Sequence, residues 1–243
     1  MRTANPALNS KTFDNTGTVG EKMTLQGTVN KTLIMLLLVI FTASKTWSMF
    51  LNGSASVSLL MMGGFIGGLI FAFITIFKKT WAPYTAPIYA LLEGFALGGI
   101  SAMFEMSYPG IVIDAVVLTF GTLFVLLMAY KSGVIKATEN FKLGVVAATG
   151  GIMLLYLVNM VLGFFGSSIP LIHESGTFGI LFSLFVVVIA ALNLVLDFDF
   201  IEKGVEMGAP KYMEWYGAFG LMVTLIWLYL EMLRLLAKLR SRR

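Results

Sequence analysis

The sequence contains no cysteine. That excludes disulfides, thiol catalysis, haem attachment through cysteine and cysteine-ligated zinc. Histidine is nearly absent as well. His173 stands alone in a short polar stretch, and a metal site needs several converging ligands, so it reads as a solvated loop residue. Charge is scarce: Asp, Glu, Lys and Arg make up 12% of the chain, against about 25% in soluble domains. There is no H-E-x-x-H, no Gly-x-Ser-x-Gly and no glycine-rich phosphate loop ending in Lys-Ser/Thr. Hydrolytic and nucleotide chemistry therefore have no support, and the expectation is a protein that is not an enzyme and carries no cofactor.

What remains is apolar. Of the 243 residues 58% are hydrophobic, and the mean hydropathy is +0.87. This is the composition of a polytopic membrane protein. The net charge of +4 does not indicate nucleic acid, because the basic residues flank apolar runs. Residues 1–28 are polar, lack an apolar signal-peptide core and read as a cytoplasmic tail. Residues 29–243 read as one transmembrane domain. Its apolar runs are roughly 31–50, 57–77, 82–104, 110–130, 143–165, 178–196 and 217–236, and about 20 helical residues span a hydrocarbon core. The expected fold is an all-α integral membrane protein, a seven-helix bundle.

Lysines and arginines set the orientation. Arg2, Lys11, Lys22 and Lys31, then Lys78 and Lys79, then Lys131, Lys136 and Lys142, then Lys203 and Lys211 fall in alternate connections. The connections between them carry none. By the positive-inside rule the N-terminus is cytoplasmic. The basic C-terminus, Lys238 to Arg243, breaks this pattern. Either the last helix crosses despite its charges or it stays shallow, and crossing is the favoured alternative. Gly63-x-x-x-Gly67, Gly64-x-x-x-Gly68 and Gly94-x-x-x-Gly98 read as close helix packing within the bundle. Pro83 and Pro87 open the third helix.

Acids inside apolar runs are costly and mark ion or proton pathways. Glu93 falls near the midplane, where it is either protonated or paired with a cation such as Lys45. Asp114 lies one turn inside the outer surface. Asp197 lies at the inner rim and Glu231 at or beyond the middle of the last helix. Asp199 reads as facing water or an entering cation. Each acid also has a plain reading: Asp114 solvated, Asp197 and Asp199 ending a helix, and Glu231 paired with Arg234 three residues on.

The segments "LVLDFDFIEKG" (194–204) and "LIWLYLEMLRLL" (225–236), with "YALLEGFALGGIS" (89–101), resemble the Bax inhibitor family of membrane proteins, and the opening "MRTANPALNSKTF" resembles its bacterial branch. The resemblance implies seven helices with the last one central, and a bacterial cytoplasmic membrane as the location. It also implies a pH-sensing pair of acids on helices six and seven that share a proton and open a Ca²⁺ leak. Carried over, that pair is Asp197 and Glu231, titrating as one unit. Glu231 is a glutamate where the family has aspartate. The ion pathway would add Glu93, Asp114, Asp199 and Asn193, with Asn159 as a further oxygen ligand. Lys78, Lys79 and Arg234 would form a latch released when the acid gains a proton. The expected partners are the bilayer, Ca²⁺ or H⁺. Two alternatives remain: a non-enzymatic regulator that binds another membrane protein, such as a membrane protease, through the polar tail, and a proton-coupled solute transporter.

Overall fold

A computed structural model describes residues 20–167, 169, 174 and 176–242. His173, most of the polar tail and Arg243 lie outside the described residues. Seven α-helices are each long and apolar enough to cross a bilayer: α1 (Leu25–Leu51), α2 (Val57–Phe77), α3 (Ala82–Ser107), α4 (Ile111–Lys131), α5 (Glu139–Phe164), α6 (Thr177–Glu206) and α7 (Met213–Ser241). Among the described residues there is no strand, only an isolated bridge between Lys22 and Pro210.

Local chemistry sets the helix starts. Thr24 caps α1, its hydroxyl accepting from the Gly27 amide, and Thr138 caps α5 in the same way through Phe141. Both satisfy amides that have no partner within the helix. Pro83 sits in the first turn of α3, as expected. Pro87 lies inside the helix, past the positions where a missing N–H costs nothing. Gly110, at φ +83°, turns the chain between α3 and α4, a left-handed conformation suited to glycine. Five of the helices are longer than their apolar runs, while α2 and α4 match theirs in length. In particular α6 continues through Asp197 and Asp199 to Glu206, so neither aspartate ends a helix.

The chain forms two compact units. One comprises 6–109 with 199–223, and the other 110–198 with 224–243. In the first, α3 packs on both α1 and α2, and glycines permit the approach. A Cβ on Gly98 would stand 2.2 Å from the Ala43 carbonyl oxygen, and one on Gly64 would stand 2.5 Å from that of Leu92. The Gly64/Gly68 and Gly94/Gly98 spacings thus serve packing within the chain, whereas Gly63 faces open space.

In the second unit α5, α6 and α7 share a core of Ile152, Val186 and Ile189, covered by Tyr156, Phe182 and Trp227. The α6 and α7 helices are the most buried, the burial expected of enclosed helices, while α2, α4 and α5 turn most of their surface outward. The exposed side chains there are large and apolar, among them Leu59, Phe65, Phe124 and Leu154, as a lipid-facing surface requires.

Polar contacts fix the course of α7. It begins beside the start of α1, where Lys211 bonds Glu21 at 2.5 Å and Lys31 pairs with Glu214. It ends beside the starts of α6 and α4: Lys238 donates to the Gly179 carbonyl at 3.0 Å and Arg240 to Asp114 at 2.5 Å. Within the second unit the C-terminal part of α7 therefore runs antiparallel to α4 and α6.

Candidate functional site

Asp197 is the most enclosed of the predicted acids, with 0% exposure. The α6 helix places it on a stripe with Val186, Ile189 and Asn193, spaced three or four residues apart so that they share one face. That stripe meets α5. Asn193 donates to Thr149 Oγ1 at 2.9 Å and to the Ile189 carbonyl at 2.8 Å. Asn193, expected on an ion pathway, thus ties α6 to α5.

Glu231 is also buried, at 2%, but belongs to a different cluster. Tyr156 on α5 donates to Glu231 Oε1 at 3.0 Å. Arg234 donates to both carboxylate oxygens, at 2.8 and 3.0 Å, and to the Tyr156 hydroxyl at 2.7 Å. Its guanidinium also lies 5.2 Å from the Tyr156 ring centre. The plain reading of Glu231 as the partner of Arg234 is the one found, with Tyr156 as a third member that the sequence did not reveal.

Register separates the two acids. Trp227 on α7 packs at the level of Val186 and Ile189 on α6. From there α7 rises toward Gly179, so Glu231 stands at or beyond the level of Val186. Asp197 lies eleven residues from Val186 in the opposite direction, about 16 Å along the axis at ~1.5 Å per residue. Neither side chain spans that gap. In this register Asp197 and Glu231 stand in separate clusters, with Glu231 bonded to Arg234 and Tyr156.

The other predicted residues are dispersed. Asp199 is 8% exposed and bonded to Lys203 at 2.7 Å, one turn along its own helix, so it does not face open water. Asp114 is half-exposed and paired with Arg240. Asn159 accepts from the Ile169 amide at 2.8 Å, closing the end of α5. Lys78 is exposed at the end of α2. Lys79 is partly buried, its ammonium 5.8 Å from the Tyr216 ring centre. Glu93 is partly buried against Gly68 of α2. Lys45 is exposed and does not pair with it. Among the described residues no three His, Asp or Glu side chains gather into a metal site.

Two further groups went unread. Glu214, in the first turn of α7, has a fully buried side chain. Its Oε1 accepts from the amide and hydroxyl of Thr24, both at 2.9 Å, while its Oε2 pairs with Lys31. Gly27 makes room, since a Cβ there would overlap the carboxylate. A carboxylate at the start of α1 also suits the helix dipole. Just outside the membrane-spanning segment Lys211 holds the Glu21 carboxyl below its ordinary range by a hydrogen bond and its charge, and Glu21 raises Lys211 in turn. The second group is Lys142, counted in sequence among the lysines of a connecting loop. Its side chain is 1% exposed. A signal existed for it: Lys142, Val145, Thr149, Ile152 and Tyr156 recur at three- and four-residue spacing.

The Bax inhibitor 1 like family matches residues 5–241. The chain belongs to this family. No curated protein and no solved structure matches it. As a Bax inhibitor 1 like protein with seven spanning helices, it is a multi-pass membrane protein.

Proposed function

We propose that this protein is a pH-sensitive cation leak of the bacterial cytoplasmic membrane, with Ca²⁺ as the ion, a cytoplasmic N-terminus and no catalytic activity of its own. The observation that carries this reading is Asp197, a carboxylate with 0% exposure inside a spanning helix. Acids at membrane depth are expensive and are associated with ion and proton pathways. Family membership adds support, since a Ca²⁺ leak is what the resemblance implied.

We place the sensing element at Asp197. Glu231 is held by Arg234 and by the Tyr156 hydroxyl, which supports Asp197 as the sensor. When ionised it holds a cation. When protonated it releases that cation and the path opens. Oxygen ligands such as carboxylates and backbone carbonyls suit Ca²⁺, which takes about 6–8 of them.

The test is Ca²⁺ flux into vesicles that contain only the purified protein. Flux that rises as pH falls supports the leak. Protein-containing vesicles no leakier than empty ones at every pH would reject it and favour a regulator that needs a membrane partner.

A further inference from the structure

Lys142 has no role in the reading so far, yet a fully buried ammonium near the start of a spanning helix is costly unless charge surrounds it. One partner is Glu139, whose carboxylate lies 3.0 Å away but is itself 73% exposed. The facing helix supplies more. On α5 the stripe Lys142, Val145, Thr149 and Ile152 is buried, and on α6 so is the stripe Val186, Ile189, Asn193 and Asp197. The Asn193–Thr149 bond at 2.9 Å sets these two stripes against each other, antiparallel. Four residues beyond Asn193 is Asp197, and four residues before Thr149 is Val145, so these two lie level. Lys142 is three residues further along α5, about 4.5 Å in rise, a distance that a four-carbon stem covers.

We propose that Lys142 is the counter-charge of Asp197, a tethered ammonium that occupies this carboxylate when it is ionised. Its consequence for gating rests on the leak reading: an ion that approaches Asp197 competes with a cation already attached to α5. The other ionisable groups of this region are Glu139 on α5, Glu202 and the bonded Asp199–Lys203 pair on α6, and Tyr130 at the end of α4, whose ring lies 6.0 Å from that of Phe198. Glu231 on α7 is about 16 Å distant along the axis and Arg234 about 21 Å.

The absence of cysteine makes proximity directly measurable. Lys142→Cys with Asp197→Cys should join through a short thiol cross-linker, and Glu231→Cys with Asp197→Cys should not. A first pair that labels singly but never cross-links overturns the proposal. Energetic coupling is read from a cycle of Lys142→Met, Asp197→Asn and the double variant in the full chain. Each single change should lower the unfolding midpoint, and the double should recover much of the loss. Additive losses, or a double variant that fails to fold alongside both singles, overturn it. For gating, Lys142→Met should raise Ca²⁺ flux at pH 7.5 to the wild-type level at pH 5. Coupling without flux in any variant would reject the leak while the ion pair stands. A wild-type leak that responds to pH, with additive losses in the cycle, would reject the ion pair while the leak stands.

Discussion

Replacing Arg234 by methionine is the sharpest way to separate a structural acid from a sensing one. The guanidinium makes hydrogen bonds to both oxygens of Glu231 and to Tyr156. Without it a carboxylate that is 2% exposed keeps the Tyr156 hydroxyl as its hydrogen-bond donor. Breaking a fully buried pair costs about 3–5 kcal/mol, and an exposed pair contributes about 0–1 kcal/mol. Arg234 is 38% exposed, so the loss should fall between these, at about 2 kcal/mol, a change of roughly 30-fold in the unfolding equilibrium. Glu231→Gln should cost less, because the amide still accepts from Tyr156, and the double variant should show clear coupling. The assay is reversible unfolding in mixed micelles, paired with Ca²⁺ flux from pH 5 to 8. Both variants should lower stability and leave the midpoint pH of the flux in place. If Glu231→Gln flattens the pH response with stability unchanged, Glu231 belongs to the titrating site and the register argument is wrong.

Gly98→Ala should weaken the α1–α3 contact. Its Cβ would stand 2.2 Å from the Ala43 carbonyl oxygen against an ordinary contact of 3.4 Å, so α1 must yield by 3.4 − 2.2 = 1.2 Å. Overpacking of this kind costs about 1–3 kcal/mol, whereas Gly144→Ala, with nothing within 4 Å, should be neutral in the same unfolding assay. Under the proposed topology, with seven crossings and a cytoplasmic N-terminus, a reporter active only in the cytoplasm should be silent when fused after Arg243 and active when fused before Met1. The Glu21–Lys211 bond contributes stability above the unfolded carboxyl pKa of 4.5 and loses it as pH falls through the lower folded value. Lys211→Ala should therefore remove part of the acid sensitivity of unfolding below about pH 4.5. An unchanged acid profile would show that this exposed contact is not maintained in solution.

The seven helices were legible because apolar length is a direct signal: only an α-helix or a closed barrel satisfies its backbone in lipid. Their ends were less so. Asp197 and Asp199 look like a helix terminus because charge resumes there, yet Asp199 takes its cation from Lys203 one turn later, and the helix simply continues. The glycine spacings were read correctly as packing within the chain, but not that Gly63 is left out. The placing of Asp197 and Glu231 in separate clusters is a matter of register. Motif likeness places an acid on a helix but not at a level, and the level here is set by Trp227, Ile152 and Asn193, whose contacts span long stretches of chain. Lys142 and Glu214 were overlooked for the converse reason: charges near helix ends look solvated until a partner helix covers them.

The central claim is that Asp197 is the pH sensor of the leak. It is tested most directly by Ca²⁺ flux from about pH 5 to 8 in vesicles that contain purified wild-type protein or Asp197→Asn. The account predicts a wild-type flux that rises as pH falls. The variant should stay at the acid level throughout, because an amide can neither hold the cation nor release a proton. A variant with the full wild-type pH response would contradict it and place the sensor elsewhere in the chain.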